Sequence, residues 1–317
     1  MKQLLRLGTR GSPLALWQAD HITELLLAAH PGLTIERVVI KTEGDRVLDR
    51  PLIEIGGKGI FIKELEEAML DGRIDFAVHS LKDMPAAQPE GLVLDAFPTR
   101  AEPFDVMVFR QAGMTLATLP AGARIGTGSI RRSMQLLRYR ADLSIVGIRG
   151  NVGTRLSKLS GDDGLDAVVL AEAGLSRLGL LDGLHWERLG VEISLPAPSQ
   201  GILGIQARSD DAETRALLAP LDDSEARLFA LAERACMLAV GGDCKTPFGA
   251  FATRSGDGLR IEARLMDEDG WTTEGSRMVI LRDDPVAQAE ELGRRLGENI
   301  LERHRARDGR PGRVDGT

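Results

Sequence analysis

Aromatic residues are scarce in this chain of 317 residues: eight phenylalanines, three tryptophans and one tyrosine make 4% of it. Cysteine is scarcer still, with only Cys236 and Cys244, too few for a disulfide framework. With five scattered histidines they match no metal-ligand spacing, so we expect reduced thiols and no metal. A basic excess is missing as well. The 40 Lys and Arg against 47 Asp and Glu leave a formal charge of −7, which argues against a general nucleic-acid or membrane-surface binder. No apolar run approaches the roughly 18 residues of a membrane span. The opening MKQLLRLGTRGS has no apolar h-region, so a cytoplasmic location is expected. What remains is an ordinary globular composition, 43% apolar, in a chain long enough for two or three cores.

The most informative stretch is Gly126 to Arg155. Twice in thirty residues a β-like run gives way to glycine and small polar residues before a helical pattern resumes. Thr127, Gly128 and Ser129 let backbone approach a ligand, and the helix opening at Ser129 presents free N–H groups. Arg131 and Arg132 stand in its first turn, where a cation opposes the helix dipole and a bound anion relieves the conflict. Arg149, Gly150, Asn151 and Gly153 form the second corner, followed by Thr154 and Arg155. Guanidinium groups suit bidentate carboxylate or phosphate binding. A single arginine of this kind is ordinarily a solvated helix face, but two such corners point to anion sites.

Elsewhere, Leu4–Leu7 reads as a strand, and Ser12 with Pro13 opens a helix to about Ala29, which puts Arg10 and Ser12 at a strand-to-helix junction. Leu33–Lys41 is a strand. Gly56, Gly57, Lys58 and Gly59 lead into a helix from Ile60 to Leu70; Lys58 fails the Walker spacing and reads as a loop cation. The buried strand Ile74–Val78 runs into His79-Ser80-Leu81-Lys82-Asp83, so Ser80, Lys82 and Asp83 stand at a strand's carboxyl end. Lys82 with Asp83 is either a surface ion pair of little worth or, at a cleft, a cation stabiliser or proton carrier. Leu92–Phe97 is a strand, and Pro98–Pro103 crosses into a second unit. That unit holds the arginine corners, a strand at Asp166–Ala171 and a leucine-spaced segment to Leu181. Pro196, Pro198 and Gly201 mark a second crossover, and Ile202–Ala207 a strand returning to the first unit. Two crossovers between α/β lobes make a hinged cleft. From Asp223 an amphipathic helix to Val240, a glycine loop around Cys244, three strands and a helix from Pro285 to Arg303 form an α+β unit. No internal repeat is evident, and the end after His304 is expected to be disordered. Cys236 reads as a small core residue. Cys244, in a glycine loop beside Lys245, is either an accessible thiolate with a nucleophilic or attachment role or a free surface thiol.

The motifs LRLGTRGSPLALWQA, GGKGIFIKELE, HSLKDMP, GSIRRSMQL, IRGNVGTRL, PAPSQG and ERACMLAVGGDCKTPFG resemble, over nearly the whole length, the porphobilinogen deaminase (hydroxymethylbilane synthase) family. The resemblance implies two periplasmic-binding-protein-like doubly wound domains around a cleft, plus a third α+β domain with a small antiparallel sheet. The segments expected are 1–98 with 202–220, 104–196 and 223–304, and a tail over 305–317. It implies a transferase that condenses four porphobilinogens head to tail with loss of ammonia and releases hydroxymethylbilane by hydrolysis. A dipyrromethane primer would be carried as a thioether on Cys244. Loss of ammonia leaves an electron-poor azafulvenium, and Asp83 matches the catalytic aspartate that stabilises it. Arg10, Arg131, Arg132, Arg149 and Arg155 match arginines that bind ring acetates and propionates, with Ser12, Lys82, Thr127, Ser129 and Gly150 beside them. Ser80 and Gln200 fall in matching motifs, and Lys58 matches a lysine of a loop over the cleft. The implied protein is a monomer that passes product to uroporphyrinogen III synthase. Asp243, Cys236, Gly128 and Ser199 depart from the family's usual residues; a carboxylate at Asp243 would raise the Cys244 pKa and slow loading. The alternative is a non-catalytic two-lobed polycarboxylate-binding protein.

Overall fold

The structure, a computed structural model, describes residues 2–42, 62–161, 164–242, 246–267 and 269–306. Lys58 and Cys244, with Asp243 and Lys245, lie outside the described residues. The first sheet joins β1 (Leu4–Thr9), β2 (Thr34–Val39), β3 (Phe76–Ser80), β4 (Leu92–Ala96) and β10 (Leu203–Arg208) in the order β2-β1-β3-β10-β4. The second joins β5 (Asp105–Phe109), β6 (Arg124–Gly126), β7 (Ser144–Val146), β8 (Ala167–Ala171) and β9 (His185–Leu189) in the order β7-β6-β8-β5-β9. These are one plan used twice. In each sheet the first strand pairs in parallel with the second and third, while the strand entering from the other sheet runs antiparallel between the third and fourth. The repeat absent from the sequence is present in the topology, because topology constrains burial pattern rather than residue identity.

Central strands are largely apolar and buried, as sheets covered on both faces require: every residue of β5 is buried, and the first four of β8. Helix α1 (Pro13–Ala29) begins where expected, with Ser12 Oγ accepting from the Ala15 amide at 3.3 Å and proline in the first position. It lays Ala19, Ile22 and Leu26 on Leu5, Leu7 and Phe76. Helix α2 (Lys63–Leu70) covers the same sheet with Leu65 and Met69. In the second lobe, α3 (Ile130–Tyr139) starts after Ser129, α4 (Val152–Ser160) after Asn151, and α5 (Glu172–Arg177) directly after β8. Helix α6 (Ala212–Leu218) follows β10. Strands β5 and β9 and helix α6 had no counterpart in the sequence reading.

The third sheet is the meander β11 (Phe248–Ser255), β12 (Gly258–Met266) and β13 (Thr272–Ile280), backed by α7 (Ser224–Ala239) and α8 (Pro285–Arg305). The two helices pack at near-backbone distance. A Cβ on Gly293 would lie 1.9 Å from the Ala232 carbonyl oxygen, so only glycine permits that approach.

The crossovers run side by side. The Ala101 amide donates to the Gly201 carbonyl at 3.1 Å. Gly201 has φ +88, and a Cβ there would sit 2.3 Å from the Ala101 oxygen. Here Arg100 Nη1 meets Glu233 Oε1 at 2.7 Å, both side chains buried, and Arg100 Nε donates to the Gln200 carbonyl at 2.9 Å. One ion pair thus ties both crossovers to α7.

Candidate functional site

Strands of both lobes point their carboxyl ends at one cleft, where open α/β sheets place ligands. Arg10 and Ser12 follow β1; Ser80 ends β3, and Lys82 and Asp83 occupy the 3-10 turn Leu81–Asp83 just beyond it. From the other side come the segments after β6, β7 and β8. Ser80, Lys82, Arg132, Arg155 and Arg177 line a cavity of about 80 Å³. Arg10, Ser12, His79, Ser80 and Asp83 line a second of about 90 Å³. Leu14 and Ser80 border both.

The two arginines of the α3 first turn are not solvated. Each is 5% exposed, and between them lies Asp105, fully buried at the start of β5. Asp105 accepts from Arg131 Nη2 at 2.8 Å, Arg132 Nε at 2.9 Å and Nη2 at 2.7 Å, Ser194 Oγ at 2.7 Å and Gln200 Nε2 at 2.9 Å. Burial alone would raise its pKa, but the two guanidiniums and these donors hold it far below the ordinary carboxylate range. The anion that relieves the helix-dipole conflict is therefore a side chain of the protein itself. Arg131, which also donates to the Leu195 carbonyl at 2.6 Å, does not line either cavity. Arg132 donates to the Val169 carbonyl at 3.1 Å and still borders the first cavity.

Gln200 connects this network to the opposite lobe, since Lys82 Nζ donates to its Oε1 at 3.2 Å. Burial pushes the Lys82 pKa down to about 8, Asp83 and Asp105 opposing that shift and Arg132 and Arg131 adding to it. Lys82 is thus no surface ion pair. Arg155 Nε donates to the Gly150 carbonyl at 2.8 Å, and its pKa is lowered by burial and by Arg132 and Arg149, against the pull of Asp83 across the cleft. Arg149 is exposed at the second corner. Thr127 and Ser129 frame α3 rather than line a cavity: Thr127 Oγ1 accepts from the Ser129 amide at 3.2 Å, and Ser129 Oγ from the Arg132 amide at 3.5 Å. Burial pushes His79 down to about 4 with Arg10 acting in the same direction, so it is a neutral wall of the second cavity.

Two residues of this site escaped the sequence reading. Asp105 lies within an apolar strand, DVMVF, where a lone carboxylate is itself the available signal, since such a group needs a buried cation. Arg177 donates to the Gly201 carbonyl at 2.8 Å and stacks 5.8 Å from the Trp17 ring, and burial lowers its pKa to about 10. It ends a six-residue helix whose pattern is too short to read.

Among the described residues no group of three metal-ligating side chains comes together, and no helix is long and apolar enough to cross a membrane. The cleft's donor set fits a polycarboxylate primer, with Lys82, Arg132, Arg155 and Arg177 converging on one cavity.

The family model "Porphobilinogen deaminase, dipyromethane cofactor binding domain" matches residues 5–216, and "Porphobilinogen deaminase, C-terminal domain" matches 228–302. A porphobilinogen deaminase of Roseiflexus sp. (strain RS-1) is 49% identical over 302 residues, 95% of this chain and 97% of that one. One from Syntrophotalea carbinolica (strain DSM 2380 / NBRC 103641 / GraBd1) is 47% identical over 299 residues, 94% and 93% of the two chains. Among solved structures, the methionine binding protein MetQ aligns with a TM-score of 0.43 at 15% identity, over 73% of this chain and 95% of its own. Both domain models and both relatives agree, over a cleft lined with cations, that the chain belongs to the porphobilinogen deaminase family.

Proposed function

We propose the following residue roles for the family's reaction: a hydroxymethylbilane synthase that condenses four porphobilinogens with release of ammonia, using a dipyrromethane cofactor. When bound, that cofactor supplies the free α-carbon to which the next ring is joined. The carrying observation is the placement of Asp83, exposed at the end of β3 in a cavity it shares with Arg10 and Ser12, with Arg155 opposite. A carboxylate there stabilises the cation left when ammonia departs, through electrostatics fixed before the reaction starts. Arg10, Lys82, Arg132, Arg149, Arg155 and Arg177 bind ring acetates and propionates, with Ser12, Ser80 and the Gly150 corner shaping the subsites. Arg131, Thr127, Ser129 and Gln200 hold that wall in place. Lys82 and Arg155 remain cationic at neutral pH despite burial, so an arriving carboxylate recovers part of their desolvation cost.

We assign the attachment to Cys244 as a thioether and loop coverage of the cleft to Lys58. We divide the chain into 1–98 with 202–220, 104–196 and 223–304, a division supported by one sheet falling in each segment. Family membership supports a monomeric cytoplasmic enzyme whose product passes to uroporphyrinogen III synthase. The test is the denatured intact mass of the purified protein beside Cys244→Ser, with ammonia release from porphobilinogen. An added mass of two porphobilinogens less two ammonias, lost in the variant, is expected; its persistence in the variant overturns the attachment site. Asp83→Ala should be folded and inactive, and normal turnover in that variant overturns its catalytic role.

A further inference from the structure

The turn that carries Asp83 follows a strand of the first sheet, where Leu81 lies against Gly204, and its apolar side chains also reach into the third domain. Leu81 and Met84, each 1% exposed, flank Lys82 and Asp83. Both join the apolar cluster of α7 and the antiparallel sheet, with Phe229, Ala232 and Ala250, not the cluster beneath the first sheet. The Leu81 amide donates to the Ile202 carbonyl of the second crossover at 3.0 Å. Immediately beyond the turn, Arg234 of α7 donates from Nη2 to the carbonyls of Pro85 at 2.6 Å and Ala86 at 2.9 Å.

Arg234 is a costly clamp. It is 8% exposed, and among the described residues it has no ion pair and its Nη1 has no hydrogen-bond partner. Burial lowers its pKa to about 10. A buried guanidinium held, among the described residues, by two carbonyls detracts from stability, and an apolar side chain would fill the same place at less cost. What the guanidinium adds is a fixed distance between α7 and the main chain two and three residues after Asp83.

We infer that Arg234 is a positioning residue for Asp83: the third domain's helix, rather than the strand that precedes the turn, sets where the catalytic carboxylate stands in the cleft. The inference rests on the catalytic assignment of Asp83. The same helix ends at Ala239, five residues before Cys244. The main chain just after the carboxylate and the segment that leads to Cys244 are therefore both tied to this helix.

The experiment is a double-mutant cycle in the full chain with its cofactor loaded, checked by intact mass. Arg234→Met and Arg234→Lys are made alone and together with Asp83→Glu, and kcat, KM and the melting temperature are measured. Arg234→Met is expected to lower kcat about tenfold or more with KM within about twofold, the signature of an interaction realised in the transition state. Arg234→Lys, which reaches one of the two carbonyls, restores part of it. With Asp83→Glu the carboxylate is already displaced by a methylene, so adding Arg234→Met is expected to cost less than about threefold more. An equal loss in both backgrounds, or a rise in KM at unchanged kcat, overturns the positioning role and leaves the catalytic assignment standing. If Arg234→Met does not fold, Arg234→Lys read in the two backgrounds decides by the same criterion. Turnover of Asp83→Ala tests the underlying assignment separately.

Discussion

Replacing Asp105 by asparagine removes one charge and little volume, at a site where five donors converge on the carboxylate. The amide offers one acceptor oxygen and turns two hydrogens toward groups that are themselves donors. Arg131 and Arg132 are left as buried cations without a counter-ion. Breaking a buried pair from one side costs about 3–5 kcal/mol, which for a chain of this size is a fall in melting temperature on the order of 5–15 °C. Urea unfolding followed by circular dichroism, with the melting temperature as a second readout, measures it. The pH dependence carries a sign. Because the folded-state pKa of Asp105 is depressed, its stabilisation is present above the unfolded carboxylate value, near 3.9, and is lost as pH falls toward the folded value. The difference between wild type and Asp105→Asn should be constant from pH 5 to 8 and shrink below about 4. A loss under about 1 kcal/mol at neutral pH would refute the claim that Asp105 is the principal anion of the α3 first turn. Asp105→Leu combined with Arg131→Met and Arg132→Met should recover most of the stability while abolishing carboxylate binding, because an apolar core replaces a buried ion triad at little cost.

Two further outcomes follow from single residues. Lys82 has a folded pKa of about 8, below its unfolded value, so its burden on stability is present below pH 8 and lifts as pH rises through 8 toward 10.5; binding runs the other way, since only the ammonium holds a carboxylate. The rate of primer loading onto unloaded protein should therefore fall about tenfold between pH 7 and 9, and Lys82→Arg should flatten that decline; an unchanged alkaline limb in the variant assigns it to another group. Ser199 has φ 63, buried, with an Oγ that has no partner among the described residues. Ser199→Gly should stabilise by about 1 kcal/mol, the relief of left-handed strain exceeding glycine's added unfolded-state entropy, and a lower urea midpoint would contradict this.

The strand-to-helix junctions were legible because their chemistry is local. Ser12-Pro13 and Ser129 announce helix starts by capping groups that act within three residues, and both caps form. The returning strand Leu203–Arg208 and the three-stranded sheet were visible as apolar runs between turn residues. Strand β9, HWERL, was not, because at the sheet edge only Leu189 is buried and the alternation that marks a strand is missing. At the cleft, the sequence marked arginines as anion binders without distinguishing which anion. Arg131 and Arg132 are adjacent in sequence and chemically alike, and only the position of Asp105, on another element of the same lobe, separates the one that frames the wall from the one that borders the cavity. Pairings at sequence separations of 26, for Arg131 with Asp105, and 133, for Arg100 with Glu233, are set by topology, and no local pattern encodes them.

The cleft's heavy cation content constrains how it is used. The two cavities, of about 80 and 90 Å³, share Leu14 and Ser80 and so are neighbouring parts of one cleft. The bonds at the hinge differ from those across the cleft. Glu233 accepts from Arg100, from the Ser199 amide and from the Ala252 amide, all in a dry setting where burial raises its pKa despite those donors. These bonds join the crossovers to the third domain and are unaffected by rotation of one lobe about the crossovers. Across the cleft, by contrast, Arg177 on the second lobe stacks on Trp17 of the first, a contact worth roughly 1 kcal/mol, while it also donates to the Gly201 carbonyl of the crossover. The charged, buried bonds thus lie where the three sheets join, an arrangement that lets a lengthening chain displace one wall without disturbing the turn that bears Asp83.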